Sequence, residues 1–184
     1  ITAGTKNGGY GWYEPLINSF EGKKINNISE GGATTKTIIE LCKESDIMSD
    51  LYVIAIGTND IRYRDSKICS MNEQEYIQNI ENIIKSISYS NNPEIIFIAP
   101  WNSLENDSIS KLEQDEKENL MDSYATELEK FCNSKGYTFI NPNNIIMSVL
   151  NKENANKYLI DFIHPNSTNG IELYSKAVME ESTK

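Results

Sequence analysis

Two unbroken apolar runs constrain this chain more than any other feature. Leu51-Tyr52-Val53-Ile54-Ala55-Ile56 ends at Gly57, and Ile95-Ile96-Phe97-Ile98-Ala99 ends at Pro100. Neither alternates polar with apolar, so neither suits a sheet with one wet face. Each reads as a strand covered on both sides, the habit of parallel sheets. The stretches around them have helical period instead. Tyr76, Ile77, Ile80, Ile83, Ile84 and Ile87 make one apolar stripe, and Leu120, Tyr124, Leu128 and Phe131 another. Buried strands separated by amphipathic helices imply βαβ units, and so an α/β fold with helices on both faces of a parallel sheet, a three-layer α/β/α sandwich.

The remaining elements follow the same logic. Residues 10–20 read as a helix burying Trp12, Leu16, Ile17 and Phe20, and residues 25–28 as a short strand. A helix over 33–43 has Thr34 or Thr35 near its start and turns Ile38, Ile39 and Cys42 inward. Ser70-Met71-Asn72-Glu73 has capping-box spacing at the head of the isoleucine-rich helix, and Asn92-Pro93 stops it. A long charged helix is expected over 111–135, with Gly136 suited to its C′ position. A strand over 137–140 follows, then a short helical stretch after Asn141-Pro142, and a closing helix over 171–181.

At 184 residues the chain reads as one domain, 1–184, large enough for a proper core. A net charge of -10 argues against nucleic acid or an anionic membrane as partner. The apolar runs are far too short for membrane insertion. Three cysteines, Cys42, Cys69 and Cys132, have neither metal-ligand spacing nor an even count. They favour a reducing, cytoplasmic compartment, with Cys42 and Cys132 as small core hydrophobes within helices.

In open α/β sheets, sites form at the carboxyl ends of strands. Three loops are expected there. Gly57-Thr58-Asn59-Asp60 directly follows a strand, and the Asn59 amide can offer a donor to a developing oxyanion. A polar turn that ties up backbone groups reads equally well from these four residues. Glu30-Gly31-Gly32-Ala33-Thr34-Thr35 joins strand to helix, and the Gly32 N–H suits a second donor. No Gly-Lys-Ser/Thr follows, which argues against a nucleotide P-loop; a weak phosphate loop and a simple tight turn are the alternatives. The third loop, Asp161-Phe162-Ile163-His164-Pro165-Asn166, carries the only histidine of the chain. An imidazole three residues after a carboxylate is a general base with its orienter, or a surface turn. Trp101 and Arg62 follow two of the strands and are candidates for substrate contact; packing and a solvated charged loop are their plainer readings.

Together these pieces resemble the SGNH, or GDSL-like, hydrolase superfamily. Gly57-Thr58-Asn59-Asp60 is similar to its Asn block, Asp161 to Asn166 with Gly170 to its His block, and Ser29 to Thr35 to its Gly block. The resemblance spans nearly the whole chain. It implies a flavodoxin-like sheet of about five strands, with the first upstream of Ile1. It also implies a serine nucleophile, His164 as base, Asp161 as its orienter, and Gly32 and Asn59 as oxyanion donors. The family's nucleophile block commonly reads Gly-Asp-Ser-Ile-Thr-Ala-Gly, and this chain opens Ile1-Thr2-Ala3-Gly4. The nucleophilic serine is therefore expected immediately before Ile1. Ser29, Ser66 and Ser103 have nothing around them that recommends them as substitutes. The implied activity is hydrolysis of a carboxylic ester through an acyl-enzyme, without metal or organic cofactor. The substrate would be a small-molecule or glycan ester. With no large insertion to form a lid, short acyl groups such as a carbohydrate O-acetyl are expected. An acyltransferase using the same site, or a non-catalytic binding relic, are the alternatives.

Overall fold

The most buried strand supplies the frame. In the computed structural model, which describes residues 1–20, 22–45, 48–63, 72–87, 92–105, 110 and 112–184, Glu94–Ile98 lies between two parallel neighbours. The described residues pack as two compact units. One comprises Gly32–Trp101 and Asn106–Ile140; the other comprises Ile1–Gly31, Asn102–Glu105 and Asn141–Lys184.

The first unit runs α1 (Thr35–Ser45), β1 (Leu51–Ala55), α2 (Thr58–Arg62), α3 (Glu73–Ser86), β2 (Glu94–Ile98), α4 (Gln114–Lys135) and β3 (Thr138–Ile140). The strands lie in the order β1-β2-β3, all parallel, with Leu51 opposite Glu94 and Ile96 opposite Thr138. Phe97 and Ile98 of the central strand are fully buried, as a doubly flanked strand requires. Leu51 and Val53 depart from the expectation of cover on both faces, remaining 38% and 47% exposed. They share one face of β1, which has a strand neighbour on one side only among the described residues.

α3 begins with a true capping box, two residues later than expected. The Asn72 side chain accepts from the Glu75 N–H at 2.9 Å, and the Glu75 carboxylate accepts from the Asn72 N–H at 3.0 Å. Ser70 and Met71 lie outside the described residues, as do Arg64, Ser66 and Cys69. Tyr76, Ile80 and Ile83 are buried at helical spacing, and α3 packs on both α1 and α4. Tyr76 meets Tyr124 of α4 at 4.7 Å between ring centroids. Gly136 ends α4 in a left-handed conformation, as its sequence position predicts. Cys42 and Cys132 are free and buried, and burial pushes the Cys132 thiol up to about 12.

The second unit holds α5 (Asn143–Val149), α6 (Ala155–Tyr158) and α7 (Asn169–Ser182). Ile171, Tyr174, Ala177 and Val178 are the buried face of α7. The helix packs on α5, α6 and a short 3-10 segment, Glu14–Phe20. That segment replaces the expected helix over 10–20. Pro15 has no N–H to give and Gly11 is a poor helix former, so regular structure starts only at Glu14. Trp12 stays outside the helix yet buried, its indole N–H on Thr2 Oγ1 at 3.1 Å.

The strand expected over 25–28 does not form. The Asn27 side chain accepts the Ser29 N–H at 2.9 Å and donates to the Tyr13 hydroxyl at 2.8 Å, so a local turn wins over a ladder. The sheet thus has three strands among the described residues rather than about five. Among those residues no helix is long and apolar enough to cross a membrane.

Candidate active site

The loop after α6 is built to present one imidazole. Leu159 and Pro165 form an isolated antiparallel bridge, the Ile160 N–H donates to the His164 carbonyl at 2.8 Å, and the Asn166 N–H donates to the Tyr158 carbonyl at 2.8 Å. Between these ties the chain must reverse within a few residues. Phe162 does so at φ 61°, a left-handed conformation that costs a bulky side chain of order 1–3 kcal/mol. The reversal brings the Ile163 and His164 N–H groups onto Asp161 Oδ1 at 3.3 and 2.9 Å. It also sets His164 Nδ1 2.9 Å from both carboxylate oxygens.

Two residues that sequence reasoning passed over hold this loop. The Asn166 side chain accepts from the Thr168 and Gly170 N–H groups and donates to the Lys157 carbonyl, so it closes the loop onto the start of α7. Asn7 donates its amide to the Pro165 carbonyl at 2.8 Å. The asparagine beside His-Pro was a visible signal for the first. Nothing local in the sequence pointed to the second.

The charge state of the pair follows from its surroundings. Burial pushes the Asp161 carboxyl up, but the His164 N–H, ring and charge, with the Ile163 N–H, bring it below the ordinary carboxylate value. His164 is lowered as well, chiefly by burial. The Asp161 carboxylate opposes the shift, and the positive charge of Lys6 adds to it. The two shifts do not mirror each other as in a simple ion pair. Their joint result is a neutral imidazole beside an ionised carboxylate at neutral pH. An ionised carboxylate only accepts, so Nδ1 carries the proton and Nε2 keeps its lone pair, which is the tautomer of a general base.

In the other unit, two turns meet. Gly57 leaves β1 at φ 125°, and a Cβ there would lie 2.8 Å from the Pro100 ring and 3.0 Å from Tyr76, so only glycine fits. Tyr76 donates its hydroxyl to the Ile56 carbonyl at 3.0 Å and fixes the strand end. Asn59, in the first turn of α2, donates Nδ2 to the Ala33 carbonyl at 2.9 Å, and its Oδ1 accepts from Arg62 Nη1 at 3.4 Å. These contacts set the amide so that nitrogen, not oxygen, faces the Gly32 turn. Gly32 itself sits at φ 80°. One of the two Nδ2 protons is engaged by Ala33; the other can serve an oxyanion.

Asp60 is fully buried. It accepts from the Thr35 N–H at 3.0 and 3.1 Å and from the Thr35 hydroxyl at 2.6 Å. Burial pushes its carboxyl above the ordinary value, with the Thr35 donors pulling the other way. Arg62 also donates to the Tyr63 hydroxyl at 3.1 Å and stacks over that ring at 4.9 Å. Trp101 is buried, and its backbone N–H donates to Thr58 Oγ1 at 2.8 Å, tying the end of β2 to α2. Ser103 is buried with its hydroxyl on the Glu105 carbonyl at 3.0 Å, a turn contact and not a poised nucleophile. Among the described residues no group of three His, Cys, Asp or Glu side chains could hold a metal ion.

The structure thus brings Asp161 to His164, and Asn59 to the turn of Gly32. Comparison with known proteins gives these pairs their context. A comparison with curated protein sequences gives no match. Among solved structures, the chain is similar to a member of the lipolytic protein G-D-S-L family from Veillonella parvula, at TM-score 0.69 and 16% identity over 96% of this chain and 89% of that one. It is also similar to an acetylxylan esterase from Geobacillus stearothermophilus, at TM-score 0.69 and 18% identity over 94% of this chain and 81% of that one. These likenesses establish a common fold. The sequence profile of the GDSL-like Lipase/Acylhydrolase family matches residues 1–168. The chain belongs to that family, and with it to the carboxylic ester hydrolases.

Proposed function

We propose that this protein hydrolyses a short-chain carboxylic ester through a serine acyl-enzyme. The observation that carries the reading is His164 Nδ1 held 2.9 Å from both oxygens of Asp161, with burial keeping the ring neutral. Such a pair leaves Nε2 free to take a proton from a hydroxyl and later to pass it to the leaving alcohol. Asp161 fixes the tautomer and stabilises the imidazolium. The Asn59 amide and the Gly32 N–H serve as oxyanion donors, the nucleophile's own N–H being a third. The nucleophile in this reading is a serine immediately before Ile1, on the likeness of Ile1-Thr2-Ala3-Gly4 to the family's block.

For the acyl group we propose acetyl, carried on a carbohydrate. One of the similar structures is an acetylxylan esterase. Arg62 and Trp101 stand as the substrate-side residues. Turnover of p-nitrophenyl acetate and of an acetylated xylooligosaccharide by the protein carrying its serine tests both levels. Asn59→Ala is expected to lower kcat by roughly 10²- to 10³-fold. Unchanged turnover in that variant overturns the oxyanion assignment. Acetate release from the aryl ester alone would retain the mechanism and remove the carbohydrate.

A further inference from the structure

The two turns that carry the oxyanion donors come from distant parts of the chain, and a buried carboxylate locks them together. Thr35 is the first residue of α1, three positions after Gly32; Asp60 follows Asn59 within α2. Three donor–acceptor distances of 2.6 to 3.1 Å join Thr35 to Asp60. Asn79 of α3 donates to Thr35 Oγ1 at 3.0 Å and holds that hydroxyl from the other side. The second tie between the turns is Asn59 Nδ2 on the Ala33 carbonyl at 2.9 Å. Both ties therefore flank the amide nitrogen that the proposed reaction needs.

A buried carboxylate is a costly way to close a turn, because desolvation disfavours its charge. Thr35 presents two donors, its N–H and its hydroxyl; Asp60 Oδ1 accepts from both, and Oδ2 shares the N–H, so the carboxylate grips the turn through backbone and side chain together. A carboxylate at the first turn of α1 also opposes the positive end of that helix.

We propose that Asp60, acting with Thr35, is a positioning residue that sets the separation between the Gly32 N–H and the Asn59 amide. This rests on the oxyanion roles proposed above for those two groups. Loosening the latch lets the Ala33 carbonyl and the Asn59 amide drift apart. The donor then misses the place where negative charge develops, while binding of the neutral ester is little affected.

The experiment is a double-mutant cycle on p-nitrophenyl acetate hydrolysis by the protein carrying its serine, assayed well below each variant's Tm. Asp60→Asn and, separately, Thr35→Val are expected to lower kcat by about 10- to 100-fold with KM nearly unchanged. Thr35→Ser, which keeps the hydroxyl, should restore most of the loss. In an Asn59→Ala background the same changes should cost less than about twofold, because the donor they position is already gone. If Asp60→Asn fails to fold, Thr35→Val takes its place in the cycle. Full kcat in both single variants, or an equal fold-loss in the Asn59→Ala background, overturns the latch and leaves the oxyanion reading standing. Wild-type turnover in Asn59→Ala alone overturns both.

Discussion

At the scale of single residues, the chemistry turns on how little the chain leaves to chance around His164. Its Nδ1 faces Asp161, its own N–H is tied to the same carboxylate, and the backbone bends through Phe162 at φ 61° to allow both. Because burial lowers the imidazole's pKa from 6.5, kcat/KM should be full near neutrality. It should fall about tenfold per pH unit only once the pH drops below that lowered value. Asp161→Asn removes the one influence that raises the imidazole's pKa, so the acid limb should move to still lower pH. Turnover should fall roughly 10³- to 10⁴-fold as the wrong tautomer becomes available. A pH–rate profile of both forms checks the sign and the size. The single histidine and its Asp-x-x-His spacing were legible in the sequence. The left-handed Phe162 was not, because nothing in the residue type announces it; nor were the Asn7 clamp and the Thr35 partner of Asp60, because each depends on a contact between positions with no local pattern between them.

At the scale of elements, helices with a strong apolar period were the easiest to read and strands with few residues the hardest. α4 lies within three residues of its expected bounds, since it carries a continuous stripe and a stop signal; α3 begins two residues late and ends at Ser86, where its stripe runs out, rather than at Asn92-Pro93. The 25–28 segment failed as a strand because its asparagine found a nearer partner for the backbone. The 10–20 segment failed as one long helix because apolar period cannot override a proline and a glycine. The capping box of α3 offers a clean test at this scale. Asn72→Ala removes one half of it and leaves the Glu75 N–H without its side-chain acceptor. A loss of about 1 kcal/mol in denaturant unfolding is expected. Esterase activity per folded molecule should not change, since the α3 residues that reach the site, Tyr76 and Asn79, lie further along the helix. An unchanged unfolding midpoint would remove the cap from the account of how this helix is fixed.

For the molecule as a whole, the fold class was legible because two apolar runs of strand length and the amphipathic helices between them admit few other arrangements. The number of strands was not, since an apolar run shows neither how fully it is covered nor how many neighbours share it. Lys117 is the clearest whole-molecule liability. It is buried on α4, and burial lowers its ammonium to about 8, with Glu118 acting in the other direction. The unfolded chain therefore binds more protons than the folded one between about 8 and the ordinary 10.5. Stability should gain from this group as pH rises through that window, and the cost of the buried charge is fully present below it. Lys117→Met should lose that pH dependence, so the difference between the two proteins in unfolding free energy should change across pH 8 to 10.5 and be flat at lower pH. Parallel curves over the whole range would show that the ammonium is solvated.

The central claim is that the His164–Asp161 pair activates a serine hydroxyl. It is tested most directly by intact-mass and peptide analysis after treatment with a fluorophosphonate. The account predicts one stoichiometric adduct, on the serine immediately before Ile1, forming far more slowly when His164 is replaced by alanine. An adduct at Ser29, Ser66 or Ser103, or labelling at the same rate without the imidazole, would contradict it.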